Sequence, residues 1–291
     1  MHDIIIIGAG PAALTAATYL GRFRRPTMVL DGGASRARWI PTSHNLPGFP
    51  AGISGAELLA HLRVQAGRYG AQIRPGEVES ILRVVDGFEL DLGTERLRTR
   101  YLLLATGVRD RLPPLEGVAE AILRSVVRVC PICDAFEAIG KKIAVISDND
   151  KGEREAEFLT TYSNRVTLIA MADVGAASRQ RLEAAGISVV TASWSALEVR
   201  GDALHVHSPS GPMTFDVAYA ALGCTPQDDL AAKLGAARDP SNALTVDEHQ
   251  QTSVPSLYAA GDVVRGLNQI AVAAAEGAIA ATDIHNRLRK E

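Results

Sequence analysis

The stretch IIIIGAGPAALTAA, residues 4–17, decides the fold. Four apolar β-branched residues in a row suit a strand buried on both faces, as a parallel sheet requires. The Ala-rich run that follows suits a helix. Between them lies Gly8-x-Gly10-x-x-Ala13, with Pro11 inside the motif, the pattern of a dinucleotide-binding turn. Gly8 permits the tight bend, Gly10 leaves room for a pyrophosphate, and Ala13 lets the helix lie close to the strand. The helix N-terminus offers free N–H groups to the phosphates. Asp31, followed by Gly32, ends the next strand (TMVLDGG, residues 27–33) about 20 residues on, where an acid can hold ribose hydroxyls. The alternative is a glycine-rich core turn with no ligand.

The same frame recurs as IAVISDNDKGEREA, residues 143–156. Aligned on the first copy, Ser147 replaces the first glycine and Asn149 the second, and only Gly152 remains. The layout is thus a domain-scale repeat: one dinucleotide-type domain (1–111 and 228–291) interrupted by another (112–227). The expected class is α/β, with two Rossmann-like three-layer ββα domains. VRDRLPPLEG (108–117) and CTPQDDL (224–230) read as connectors. TFDVAYAALG (214–223) reads as one strand, and the last helix runs from about residue 268 to 289. Ser54 and Glu57 have the spacing of a capping box.

The chain has 291 residues, enough for about two domains of roughly 150 each. With a net charge of -3 and 47% hydrophobic residues, it points neither to nucleic acid nor to a membrane as partner. No apolar run approaches the roughly 20 residues of a spanning helix. The start, MHDIIIIG, reads as a core strand and not as a secretory signal. Three cysteines suit a reducing, cytoplasmic setting.

CPICDAFE, residues 130–137, carries the redox candidate. Cys130 can cap a helix that Pro131 opens, and a thiol there can have a lowered pKa. Asp134 follows Cys133 and could shuttle a proton. Zinc would need four ligands, and only Cys224 and scattered histidines remain, so no metal site is expected. Two unrelated thiols are the other alternative to a redox dithiol.

Two further strands end in small residues: LLLATG (102–107), with Thr106 and Gly107, and YAAGD (258–262), with Gly261 and Asp262. In this order the motifs resemble the FAD domain of flavoproteins with two dinucleotide domains. With C-x-x-C-D in the inserted domain and HNLPGFP at 44–50, the chain resembles the low-molecular-weight thioredoxin reductases over nearly its whole length. The resemblance implies FAD, with Asp262 on its flavin side and Asn45, Gln269 and Ile270 bordering the ring. It implies Cys133 against the flavin, Cys130 exchanging with a substrate disulfide, Asp134 as acid/base, and a homodimer.

The second glycine motif of that family binds NADPH, and here it is spoiled. Asp148 and Asp150 add negative charge at that helix N-terminus. The family's basic cluster for the 2'-phosphate is replaced by IAMADVG (169–175). NADPH is therefore not expected; NADH with Asp173 on the ribose is the weaker option. The expected donor is a ferredoxin- or flavodoxin-like protein, or a second FAD in the degenerate site. An acidic donor could dock on Arg22, Arg24, Arg25, Arg36 and Arg38. The substrate would be a thioredoxin-like protein or a small disulfide or dithiol. The alternatives are a dithiol oxidase passing electrons to dioxygen, and a non-catalytic flavin-bound redox sensor.

Overall fold

Ile4 and Ile6 enter one hydrophobic core and Ile5 and Ile7 another, on opposite faces of one sheet. That is why the run is apolar throughout: alternate side chains point to opposite faces, and both faces are covered. The computed structural model describes residues 1–290 apart from 210 and 265.

In the first part of the chain β1 (His2–Ile7) leads to α1 (Pro11–Arg22), β2 (Thr27–Asp31), α2 (Gly55–Arg68) and β3 (Gln72–Pro75). A hairpin of β4 (Ser80–Val84) and β5 (Gly87–Asp91) precedes β6 (Arg96–Leu104) and the short β7 (Val108–Asp110). Next come α3 (Val118–Leu123), β8 (Val127–Arg128), the single turn α4 (Pro131–Asp134), β9 (Ile143–Ser147), α5 (Asp150–Leu159) and β10 (Val166–Ala170). They are followed by α6 (Ala176–Ala184), β11 (Ser188–Thr191), β12 (Leu197–Arg200), β13 (Ala203–Ser208), β14 (Gly211–Phe215) and β15 (Val217–Ala220). The chain closes with β16 (Cys224–Pro226), α7 (Asp229–Lys233), β17 (Leu257–Ala259) and α8 (Ile270–Leu288).

The repeat is visible in strand order. The first sheet runs β3-β2-β1-β6, and the second runs β11-β10-β9-β15. β17 pairs parallel to β6, and β8 takes the matching place beside β15. Each unit also has an antiparallel part, β4-β5 against the start of β6 and the separate meander β12-β13-β14. The fold is the expected pair of Rossmann-like units, the second inserted into the first.

Three local expectations change. The stretch 214–223 is two strands, because the chain turns a corner at Asp216. Its backbone N–H donates to the Lys142 carbonyl (3.0 Å), and its carboxylate accepts from the Lys142 N–H (2.7 Å). The two connectors are not plain loops: β7 and β16 pair antiparallel, Cys224 opposite Asp110 and Pro226 opposite Val108. The last helix begins at Ile270, with Gln269 as its N-cap. The capping box of Ser54 and Glu57 on α2 forms as expected.

Candidate active site

The intact turn is shaped by what touches it. Gly8 has φ +106°, and a Cβ there would stand 2.2 Å from the carbonyl oxygen of Ala105. No L-residue with a side chain fits without moving that strand end. Gly10 is the N-cap of α1, Pro11 is its first residue, and no side chain caps the helix. The first N–H groups of an α-helix have no intrahelical partner, so this end is open to an anion. A Cβ on Gly10 would meet only the Ser35 hydroxyl, at 3.4 Å, and would otherwise fill the adjoining cavity. Ala13 is wholly buried under α1.

That cavity, about 920 Å³, runs from Gly8 and Asp31 past Thr106 and Asp262 to Gln269 and the two cysteines. Glycine cradle, open helix end and a terminal acid fit a dinucleotide. Asp31 accepts from the Gly33 N–H (2.8 Å) and pairs with Arg63 of α2, a partner the sequence did not suggest. Gly32 beside it is exposed. Thr106 and Gly107 are laced to Gln227. The Thr106 hydroxyl donates to the Gln227 carbonyl (2.6 Å), and the Gln227 N–H donates to the Gly107 carbonyl (2.9 Å).

Asp262 is half-buried, which raises its pKa, and Arg36 opposes that rise. The Arg36 guanidinium reaches Asp262 at 3.1 Å and holds Asp110 of β7 through two bonds, at 2.7 and 2.8 Å. Gly261, at φ +81°, donates its N–H to Glu276 of α8 (2.6 Å). α8 can come this close because of Gly277, where a Cβ would stand 2.2 Å from the Ala12 carbonyl oxygen. A glycine inside an Ala-rich helix was a readable signal of close packing.

Cys130 and Cys133 form a disulfide, with Cα atoms 5.3 Å apart. Cys130 caps α4 and Pro131 opens it, as expected. The helix is a single turn, so its dipole gives Cys130 little. The Gln269 amide nitrogen lies 3.4 Å from the Cys133 sulfur and 3.7 Å from that of Cys130, and its oxygen accepts from Asn45 (2.9 Å). The two units thus meet at the disulfide. Ile270 lines the same cavity. Burial raises Asp134 to about 6, against the pull of Arg128 and of the Tyr219 hydroxyl. Cys224 is half-buried, its sulfur 3.9 Å from the Asn268 amide nitrogen, and burial raises its thiol pKa. Among the described residues no group of three or more His, Cys, Asp or Glu could hold a metal ion, and no helix is long and apolar enough to cross a membrane.

The degenerate turn is remodelled, not merely mutated. In the intact copy Ala105 donates its N–H to Ile7, and in the other Ala221 donates to Ile146. Ala221 is therefore the counterpart of Ala105. Where Gly8 has no room for a side chain, the Ser147 hydroxyl donates to the Ala221 carbonyl (3.0 Å) or to that of Asn149 (2.9 Å). Ser147 does not take the positive φ that Gly8 has. Gly152 touches it: a Cβ there would stand 2.1 Å from that of Ser147. Asn149 caps α5, accepting from the Lys151 N–H (3.0 Å). Asp148 does not serve the helix end as expected, because it pairs with Arg111. Asp173 is exposed in a loop.

The proposed basic dock is largely engaged within the chain. Arg36 is held as above, Arg25 contacts His285 (3.2 Å) and Asp3 (3.9 Å), and Arg22 donates to the Tyr69 hydroxyl (3.0 Å). Arg38 donates to the Gly33 carbonyl (3.1 Å) but is exposed, as are Arg22 and Arg24.

Two dinucleotide-type units with a disulfide held at their junction define a flavin-linked disulfide oxidoreductase. Residues 2–277 match the family model described as pyridine nucleotide-disulphide oxidoreductase, and the chain belongs to that family. It is an FAD-dependent disulfide oxidoreductase. It is 31% identical to the mitochondrial thioredoxin reductase 2 of Saccharomyces cerevisiae, over 99% of this chain and 91% of that one. It is 32% identical to the bifunctional thioredoxin reductase/thioredoxin of Mycobacterium leprae, over 97% of this chain and 65% of the longer relative. The solved structure of HlmI superposes with a TM-score of 0.89 at 27% identity, covering 99% of this chain and 93% of that one.

Proposed function

We propose that this chain moves electrons between FAD and the Cys130–Cys133 disulfide without drawing them from NADPH. One observation carries the reading: a Ser147 hydroxyl bonded across the turn takes the place of its first glycine, and the Asn149 side chain takes the place of the second, where a pyrophosphate needs room. Asn149 already caps the helix behind it, and the loop after β10 has no cation for a 2'-phosphate. The same closure weighs against a second FAD there.

FAD would lie with its pyrophosphate at Gly8, Gly10, Pro11 and Ala13 and its ribose at Asp31 and Gly32. Its ring end would face Asn45, Thr106, Gly107, Gly261, Asp262, Gln269 and Ile270. When bound, it supplies a two-electron donor or acceptor. Cys133 takes the flavin side, Cys130 exchanges with the substrate, and Asp134 holds or releases a proton at the reacting sulfur. The domains divide at 111/112 and 227/228, either side of the β7–β16 ribbon.

The relatives' names support a thioredoxin-like protein as substrate, the Mycobacterium leprae relative joining both names in one chain. A small disulfide fits the same dithiol. The donor is a reduced ferredoxin- or flavodoxin-like protein. A second reading, oxidation of a small dithiol with electrons passed to dioxygen, draws support from the arginines already engaged within the chain. A homodimer follows from the family resemblance, and a cytoplasmic setting from the small number of cysteines.

The test is an anaerobic titration of the flavin-loaded protein, following visible absorption. NADPH should leave the flavin oxidised, and dithiothreitol or reduced ferredoxin should bleach it. Prompt bleaching by NADPH would overturn the reading.

A further inference from the structure

β8 is two residues long, yet it sets Arg128 beside Tyr219 of β15 in parallel register. Both side chains are buried. A buried guanidinium is costly unless its charge and donors are matched, and an apolar residue of similar size would fill the space without that cost. Here Nη1 donates to the main-chain carbonyl of Asp134 at 2.6 Å, and Nε donates to that of Ser125 at 3.2 Å. Nη1 also lies 3.3 Å from the Tyr219 hydroxyl. That hydroxyl donates to the Asp134 carboxylate at 2.9 Å, while the carboxylate stands 3.7 Å from Nη1. The guanidinium thus fixes the backbone of the residue after the disulfide, and the phenol fixes its side chain.

We propose that Arg128 and Tyr219 are positioning residues that hold the Asp134 carboxyl group at the dithiol, ready to exchange a proton with a cysteine sulfur. This rests on the acid/base role given to Asp134 above. Reduction of the disulfide breaks the S–S bond, takes two electrons from reduced FAD and needs two protons. One proton passes from the Asp134 carboxyl to a sulfur, leaving a carboxylate that solvent protonates again. The second is matched by the proton that reduced FAD gives up as it is oxidised. Tyr219 keeps its own proton, since burial drives its ionisation well above the usual phenol range. It can orient the carboxyl but not replace it. The groups acting on that carboxyl are Arg128 from β8, Tyr219 from β15 and Glu137 just after α4. Arg128 and Tyr219 favour the carboxylate, whereas burial and Glu137 favour the acid.

The test compares Tyr219→Phe, Arg128→Lys and Asp134→Asn in the flavin-loaded protein, from about pH 5 to about pH 9. Two quantities are read: the 13C carboxyl resonance lost in Asp134→Asn, and the anaerobic rate at which dithiothreitol bleaches the flavin. Asp134→Asn should remove the inflection of the rate profile and slow bleaching about a hundredfold. Tyr219→Phe keeps the ring and its packing. It should move both the resonance titration and the rate inflection to higher pH, and Arg128→Lys should move them the same way. If Tyr219→Phe lowers Tm while both titrations stay at the wild-type position, the pair is only a staple and the proposal fails. If Asp134→Asn retains the wild-type profile, the acid/base role fails first. Should Arg128→Lys not fold, Tyr219→Phe decides alone.

Discussion

At the scale of single residues, the redox centre is one turn of helix, Pro131–Asp134, capped by Cys130. Cys130, Cys133 and Asp134 stand together in the sequence, and the structure joins the two sulfurs. Replacing Cys133 with Ser should abolish thiol-dependent bleaching of the flavin, and an unchanged rate would favour the redox-sensor reading. Arg36, Arg63 and Tyr219 carry no local signal, since each meets its acid across tens of residues of chain, and Arg128, six residues before Asp134, shows none because its burial beside Tyr219 is not readable locally. Asp134 also predicts a pH effect on stability. Its folded pKa, about 6, lies above the ordinary 3.8, so the folded state binds the proton more tightly. This stabilisation is full below the unfolded value and is lost as pH rises towards 6. Asp134→Asn, which stays neutral, should therefore be more stable than the wild type near pH 7, by no more than about 3 kcal/mol. The gap should close below about pH 4, where thermal melts would show equal Tm.

At the scale of elements, each βα turn is built around one tight contact. Gly8→Ala would force a Cβ into the Ala105 carbonyl at a positive φ. It should cost about 1–3 kcal/mol, and purified protein should show reduced flavin content. The other turn answers to a different rule. Ser147→Gly removes a hydroxyl that stitches β9 to the segment after β15, at a cost of about 1 kcal/mol in denaturant unfolding. Combined with Asn149→Gly and Ala172→Arg, it should restore some NADPH-driven bleaching. No gain would mean that the Arg111–Asp148 pair or the domain orientation is a further obstruction. The sequence showed where the glycines were missing. It did not show that a serine had joined the hydrogen-bonding of the turn, because that needs Ala221, which lies more than seventy residues away.

At the scale of the whole molecule, the repeat was readable because each copy begins with a strand of wholly apolar residues. The strand order then confirmed it, down to β17 and β8 holding matching places. What escaped reading were short elements: β7, β8 and β16 are too brief to show a period, and the pairing of β7 with β16 is what brings the two units together. The β7–β16 ribbon is held at one end by Arg36, which grips Asp110 and Asp262 at once. Arg36→Met should loosen that junction, lower Tm and speed proteolysis between residues 108 and 117, which a limited-trypsin time course would show.

The contact between Ser147 and Gly152 has a consequence for rebuilding the turn. Gly152 is the one glycine of the second motif still in place, and it stays because the serine needs the space. A glycine at this position is therefore required by the packing against Ser147, whatever the turn binds. Changing Ser147 back to glycine alone would forfeit a hydrogen bond and open a void before any cofactor could bind. That single step is therefore uphill. Restoring a glycine turn here thus takes Ser147 and Asn149 together with the packing around Gly152, and not one substitution.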